Sequence, residues 1–375
     1  MSYFHSNTSP QPVETIERSE EEQRTVESML CDHRTQLPFS LNSLQILTKR
    51  YLHREADGNI LESPEDMYRR VAVALAEVER NYGATDEQIT QAAADFYEVM
   101  SHAEFAPAGR TLANAGGINR VVSNCIVLHI EDTMESIFQT LHDAALLQKA
   151  GSGLGFPLHL MRPAGSLTKA SLGSSSGPCS FLHVYNTAFG VVKQQSRNGA
   201  NMAVMSVKHP DILEFIHIKQ KEGTLSNFNV SVGLTDEFMS QVAENSQDVW
   251  KCSFDGQEYL PRRIKRDNNF NILEVEEVRM TATEIFEEIV DCAWHTGEPG
   301  CVFLDTVNSV NPIPGLGRLE ACNPCGEQFL HDGDVCNLGS LNLEKFVKNG
   351  TIDYPRLRAV TKLVVQMLDN VIDVT

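Results

Sequence analysis

Between Cys322 and Glu327 the chain reads Cys-Asn-Pro-Cys-Gly-Glu, which puts an amide, a thiol and a carboxylate at alternate positions: Asn323, Cys325 and Glu327. Pro324 and Gly326 stand between them, so the segment is a tight loop rather than a helix. Alternate residues of an extended loop point to one side, which lets one small ligand touch all three groups. A further thiol, Cys336, follows in Cys336-Asn337-Leu338-Gly339-Ser340-Leu341-Asn342-Leu343. The chemistry on offer is that of a thiol flanked by an amide and a carboxylate. Cys322 and Cys325 also make a Cys-x-x-Cys, which elsewhere holds zinc or works as a thioredoxin-like dithiol. A zinc site needs a second ligand pair, and Cys336 and His331 are poorly spaced to be one, so no metal is expected. A thioredoxin-type motif opens a helix after a strand, which Pro324 and Gly326 disfavour.

Such residues need a scaffold. The 375 residues hold one large or two ordinary domains, and a hydrophobic fraction of 42% supports a sizeable core. The net charge of −19 disfavours nonspecific nucleic-acid binding. No apolar run is long enough to span a membrane, and no signal peptide is visible. Nine cysteines, an odd number without regular spacing, do not make a secreted disulfide framework, so a reducing cytoplasm is expected. Cys31, Cys179, Cys252, Cys292 and Cys301 read most simply as buried or incidental thiols.

Residues 1–35 are polar and acidic and read as a flexible tail. Residues 36–104 form a helical domain. There Ser63 caps a helix with Pro64 in its first turn, Asp66 in the box position, and a stripe of Met67, Val71, Leu75 and Val78 ending by Gly83. A second helix spans roughly Gln88 to Met100. From residue 105 to 375 strands and helices alternate, the mark of an α/β core. Cys125–Leu128 and Ala203–Val207 read as buried strands. Asp132 and Glu135 are placed to box a helix bearing Ile137, Phe138, Leu141, Ala145 and Leu147; another helix runs from Thr281, with Glu284 in the box, to Gly297. Gly151-Ser152-Gly153-Leu154-Gly155 has the look of a phosphate loop, but it follows a helix rather than a strand, so a dinucleotide fingerprint does not fit.

Taken in order, several segments resemble motifs of the ribonucleotide reductases. They are His209-Pro210-Asp211-Ile212, Asn227-Phe228-Asn229-Val230-Ser231-Val232, Gly297-Glu298-Pro299-Gly300, Phe303-Leu304-Asp305 with Asn308, Asn311-Pro312, and the loop at Cys325. The resemblance runs from about Leu44 to the last residue, and the Asn-Pro-Cys-Gly-Glu form resembles the adenosylcobalamin-dependent (class II) branch. It implies an N-terminal helical domain and the first part of a ten-stranded α/β barrel around a central finger loop. It also implies reduction of ribonucleotides to 2′-deoxyribonucleotides for DNA synthesis. Cys325 would carry a thiyl radical generated with adenosylcobalamin and take the 3′ hydrogen of the ribose. Glu327 would act as general base on the 3′ hydroxyl, and Asn323 would hold the sugar hydroxyls. Cys125, within Ser123-Asn124-Cys125-Ile126, and Cys336 would supply the electrons and close to a disulfide.

The same resemblance implies nucleotide sites. Thr111, Ser123, Asn124 and Arg197 would contact substrate, Arg197 from a specificity loop spanning Gln195 to Met202. Asp132, Thr133, Arg162 and the loop from Pro163 to Pro178 would bind a deoxynucleotide effector beside a dimer-interface helix. Diphosphate substrates are expected, because an interface effector site goes with the dimeric form. The second half of the barrel and a cysteine-bearing tail for re-reduction are not in these residues. A C-terminal partner polypeptide, a thioredoxin-like reductant and a second copy of the chain are therefore expected partners. The alternatives are the large subunit of a metal-radical (class I) reductase and a non-catalytic effector-binding fragment.

Overall fold

The computed structural model describes residues 37, 39–119, 121–167, 173–194 and 197–374. The expected acidic tail and Cys31 lie outside the described residues. Three helices come first: α1 (Leu41–Arg50), α2 (Pro64–Ala76) and α3 (Asp86–Ser101). The start of α2 is as the sequence dictates. The Ser63 hydroxyl accepts the Asp66 N–H, and the Asp66 carboxylate accepts the Ser63 N–H. Met67, Val71, Leu75 and Val78 are all buried. The α-helix ends at Ala76, and a 3-10 turn over Glu77–Tyr82 continues to Gly83, whose φ of 86° closes it.

The core unit is a six-stranded sheet built from β1 (Cys125–Val127), β2 (Gly153–Pro157), β3 (Asn201–Ser206), β4 (Phe228–Leu234), β5 (Gly300–Phe303) and β8 (Val335–Cys336). Its order is β5-β4-β3-β2-β1-β8. The first five run parallel, each beside its predecessor, and β8 is antiparallel to β1. Helices α4 (Met134–Ala150), α5 (Pro178–Val191) and α6 (Ala282–Thr296) lie in the crossovers. The order never reverses, so right-handed crossovers place these helices on one face. That progression belongs to a barrel wall and not to a doubly wound sheet. The expected ten strands are not assembled by the described residues: this sheet has two edges, β5 and β8.

Side chains alternate across the sheet with period two. Ile126, Leu154, Phe156, Ala203, Met205, Val230 and Val232 pack under the helices with Tyr185, Phe189, Ile285 and Ile289. The other face carries Val127, Met202 and Val204, with Gly153, Gly155, Asn229, Ser231 and Gly233 at the alternate positions of β2 and β4. Small and polar residues there leave room for a hairpin, β6 (Ala321–Cys322) paired with β7 (Phe329–Leu330). The glycine run is thus not a phosphate loop. Gly151 ends α4 with a φ of 94°, and Gly153 and Gly155 belong to β2. A Cβ on Gly155 would lie 2.0 Å from the Cys322 carbonyl oxygen, and one on Gly153 2.8 Å from Pro324 Cγ.

The last helix, α7 (Tyr354–Val374), returns to the N-terminal helices. Val360, Val364, Met367 and Val371 join Val71, Leu75, Phe96 and Val99 in one core. Asn370 Nδ2 donates to the Leu75 carbonyl at 3.0 Å, and Arg356 pairs with the buried Glu104. Among the described residues no helix is long and apolar enough to cross a membrane.

Gly155→Ala should lower stability by about 1–3 kcal/mol, because the added methyl meets backbone that cannot rotate away. Gly315→Ala, where nothing lies within 4 Å, should stay within about 0.5 kcal/mol of wild type. Urea denaturation of the two variants measures the difference, and equal midpoints would contradict the packing argument.

Candidate active site

The hairpin delivers the Cys325 loop to the sheet. Its strands pair Ala321 with Leu330 and Cys322 with Phe329. The turn is then closed from within. Asn323 N–H donates to the Gln328 carbonyl at 3.0 Å, the Gln328 N–H donates to Asn323 Oδ1 at 3.0 Å, and the Gly326 N–H donates to the Asn323 carbonyl at 3.0 Å. Gly326 has a φ of 84°, which a Cβ would disfavour. Asn323 and Pro324 are buried, whereas Cys325 and Glu327 are exposed.

The fold brings the distant thiols to this loop. Cys125 and Cys336 are register partners of the antiparallel β1–β8 pair. Residues so placed have Cα atoms about 5 Å apart, inside the range a disulfide spans. Both are free thiols. Asn323 Nδ2 donates to Cys125 Sγ at 3.6 Å, so the loop amide touches the pair directly. The Cys336 thiol is hydrogen-bonded to Cys125. With help from Asn323 and the Gly153 backbone, and against burial and the Glu327 charge, this bond draws the Cys125 thiol down to about 7. Cys336 shifts upward, first because it is the donor in that bond and then by burial. Burial pushes Cys322 up to about 12. Of the two sulfurs Cys125 is therefore the one that ionises first, while Cys336 stays a thiol. With both sulfurs protonated, the pair can lose two electrons and two protons and close to a disulfide.

The substrate candidates divide. Asn124 adjoins Cys125, and its Nδ2 is buried with no hydrogen-bond partner among the described residues. Ser123 is 2% exposed, and Thr111 is 1% exposed with its hydroxyl donating to the Val122 carbonyl at 3.5 Å, so both hydroxyls sit behind the surface. Arg197 belongs to a two-residue strand paired with Lys193–Gln194. Residues 195 and 196 of its loop lie outside the described residues.

The effector candidates stand at the other end of the strands. Arg162 Nε contacts both Asp132 carboxylate oxygens, at 2.9 and 2.8 Å, and its backbone N–H donates to Asp132 Oδ1 at 2.9 Å. Asp132 does not cap α4. The cap is Thr133, whose hydroxyl accepts the Ser136 N–H at 3.1 Å, because Asp132 is committed to Arg162. The apolar stripe of α4 is also displaced: Ile137 is buried, Leu141 packs at the core edge, and Phe138 is 48% exposed. Of the cysteines read as incidental, Cys179, Cys252 and Cys292 are buried and Cys301 is exposed.

Sequence reasoning missed several contributors. Asn229 reaches the loop from β4, donating from Nδ2 to the Pro324 carbonyl at 2.8 Å. His159 meets Glu320 at 3.0 Å at the foot of the hairpin. Buried Asp211 binds Arg262 and accepts the Ala164 N–H, fixing the start of the loop after Arg162. The period of β4 would have put Asn229 on the hairpin face, had the hairpin been known to lie there.

Two family models match the chain: "Ribonucleotide reductase, all-alpha domain" over residues 37–120 and "Ribonucleotide reductase, barrel domain" over residues 123–375. Among curated relatives, the vitamin B12-dependent ribonucleoside-diphosphate reductase of Mycobacterium tuberculosis is 39% identical over 94% of this chain and 48% of its own length. The protein of that name from Thermoplasma acidophilum is 34% identical over 92% of this chain and 50% of its own length. The ribonucleoside-diphosphate reductase large chain of Schizosaccharomyces pombe is 28% identical over 90% of this chain and 42% of its own. The chain spans about half the length of the curated relatives it matches.

Alkylation of Cys125 by iodoacetamide in the reduced protein should rise with pH through a midpoint near the value of about 7. Cys336→Ala removes the donor that holds the thiolate, so the midpoint should move upward by about one pH unit. Peptide mass spectrometry reads the rate. An unmoved midpoint would mean that Cys336 is not the cause.

Proposed function

The chain belongs to the ribonucleotide reductase large-chain family, and from that premise we propose that the protein these residues form part of reduces ribonucleoside diphosphates to 2′-deoxyribonucleoside diphosphates, with adenosylcobalamin as its radical source. The observation that carries the reading is the in-register pair Cys125 and Cys336, touched by Asn323 of the loop that exposes Cys325. In the net reaction the ribose 2′ hydroxyl leaves as water and the two thiols become one disulfide. Electrons and protons balance without another reductant in the turnover itself.

The placement of these residues supports the following roles. Cys325 is exposed on the loop whose Asn323 touches the dithiol, and there it gives up a hydrogen atom and then takes the 3′ hydrogen of a bound ribose. Glu327, exposed on the same loop, accepts the 3′ hydroxyl proton. Asn323 orients the sugar, which requires its buried amide to turn outward from Gln328 and Cys125, and the unpartnered Asn124 amide offers a further donor. The donor set fits adenosylcobalamin in one respect: the thiol is exposed rather than enclosed by its own chain. When bound, that cofactor supplies the acceptor for the Cys325 hydrogen atom. The vitamin B12-dependent relatives, at 39% and 34% identity, favour this source over that of the large-chain relative at 28%.

Residues 36–104 are read as the helical domain and residues 105–375 as the barrel unit. Asp132, Thr133 and Arg162 form the deoxynucleotide effector site, with Arg162 as the phosphate cation. Arg197, Thr111 and Ser123 are assigned to substrate, the last two requiring movement to expose their hydroxyls. The working protein is a homodimer in the cytoplasm, returned to its dithiol state by a thioredoxin-like reductant. The second copy fits the exposed apolar face formed by Phe138 and Leu146 of α4 and Val184 and Val191 of α5.

The decisive assay supplies the chain, and a polypeptide carrying the rest of the family's length, with adenosylcobalamin, a deoxynucleotide effector, a dithiol and a ribonucleoside diphosphate. Deoxynucleotide should form, and Cys325→Ser should abolish it. Retained turnover in the variant would sink the radical assignment, and turnover without cobalamin would shift the reading to the metal-radical branch. Phe138→Asp should weaken self-association. An unchanged sedimentation coefficient would remove α4 from the interface.

A further inference from the structure

Asn229 is the second residue of β4 and lies on the face of the sheet that the hairpin covers. Its neighbours Phe228 and Val230 are buried on the helix side, while Asn229 itself is exposed. The strand reads Phe-Asn-Val-Ser-Val-Gly-Leu, so Asn229 shares the hairpin face with Ser231 and Gly233, and its amide is free to act there. There its Nδ2 donates to the Pro324 carbonyl at 2.8 Å. That carbonyl belongs to the peptide unit joining Pro324 to Cys325. An amide donor to it fixes the orientation of the peptide from which the Cys325 side chain springs.

The Asn229 bond acts on this peptide in a way that the contacts from the hairpin base and from β2 do not. The bonds between Asn323 and Gln328 close the base of the turn. The Gly155 contact seats Cys322, and the Gly153 contact seats the Pro324 ring by its Cγ edge. Both contacts come from β2 and are repulsive limits on approach, so neither selects a rotation of the Pro324–Cys325 peptide. The Asn229 bond comes from β4, two strands away across the sheet, and is directional. Contact from β2 on one side and a hydrogen bond from β4 on the other hold the tip across three adjacent strands.

The geometry points to Asn229 as a positioning residue for Cys325: its amide sets the rotation of the Pro324–Cys325 peptide and thereby the place of the thiol over Cys125 and a bound ribose. This rests on the reductase reading for its consequence and on the hydrogen bond alone for its cause. Hydrogen-atom transfer requires donor and acceptor in near contact, and a displacement of about 1 Å costs about a hundredfold in rate. Asn229 exchanges no atom with substrate, so its loss acts on turnover and not on substrate affinity.

The test uses Asn229→Ala, and Asn229→Leu as a near-isosteric variant without the donor. Because the Asn229 side chain is exposed, neither change opens a core cavity. Hydrogen–deuterium exchange of the peptide covering residues 321–330 is measured in the chain, with the α2 peptide as internal reference. Turnover is measured in the complete enzyme. In at least one variant that keeps the wild-type far-UV circular dichroism spectrum, loop exchange should quicken about threefold or more with α2 unchanged. In that variant kcat should fall about tenfold or more at unchanged KM. Unchanged loop exchange overturns the anchoring, an unchanged kcat overturns the positioning role, and loss of the wild-type spectrum in both variants overturns it in favour of a structural one. Failure of the wild-type enzyme to reduce ribonucleotides would instead defeat the reductase reading, and the exchange measurement would still decide whether Asn229 holds the loop.

Discussion

The site depends on a backbone lying against a backbone. The Cys322 carbonyl sits where a side chain of residue 155 would be, and the Pro324 ring sits where one of residue 153 would be. Only glycine permits both contacts. Close approach at these two positions lets the hairpin descend onto β2 and brings Asn323 within hydrogen-bond reach of Cys125. The sheet supplies the remaining condition. Its five parallel strands succeed one another without reversal, so their crossover helices stay on one face and the other is left for the hairpin. Large apolar residues fill the helix face at alternate positions, and glycine, serine and asparagine mark the hairpin face of β2 and β4. One period-two pattern thus builds the core and clears the site.

The thiol pair shows how position becomes chemistry. Two cysteines opposite each other in an antiparallel pair are chemically alike until their surroundings differ. Here the Cys336 thiol donates to Cys125, Asn323 and the Gly153 N–H add donors on the same side, and Cys125 becomes the stronger acid. Cys336, as the donor, becomes the weaker. The Glu327 charge works against ionisation of both. The loop that carries Cys325 therefore also sets the acidity of the dithiol, through Asn323 and Glu327.

Much of this was legible in the sequence where the signal is local. The Ser63–Asp66 and Thr281–Glu284 boxes, the stripe from Met67 to Val78 and the strand at Cys125 depend on neighbours within a few residues, and they appear as read. Asp132 was misread because a carboxylate three residues before Glu135 looks like a cap. A partner thirty residues away, Arg162, decides otherwise. The glycine run was ambiguous because phosphate loops and close-packed strands both need residues without a Cβ. Only the hairpin, 170 residues later in the chain, distinguishes them. Phe138 and Ile137 are adjacent and both apolar, so periodicity alone cannot say which one faces the core. The register of Cys125 with Cys336 was invisible for the same reason: pairing across the chain is a property of the fold.

The residues assigned to effector and to substrate stand at opposite ends of one helix. Asp132 and Thr133 precede α4, just past the C-terminal end of β1, while Cys125 and Gly153 mark the N-terminal ends of β1 and β2. A helix of 17 residues spans about 25 Å. At its far end Gln148 is 1% exposed, and its Nε2 donates to Asn201 Oδ1 at 2.5 Å. Asn201 in turn donates to the Asn227 carbonyl at 2.8 Å. A Cβ on Gly199 would lie 2.8 Å from Gln148 Cδ, so this stretch is seated directly on the helix end. Asn201 opens β3, and Asn229 follows two residues after Asn227 on β4. A rigid helix with a capped start and a buried polar end cannot move along its axis without moving Gln148 against Asn201. From Asn227 the backbone runs two residues into β4 to Asn229, which holds the Pro324 carbonyl. The physical continuity between the two candidate sites is therefore one helix and three asparagines, Asn201, Asn227 and Asn229.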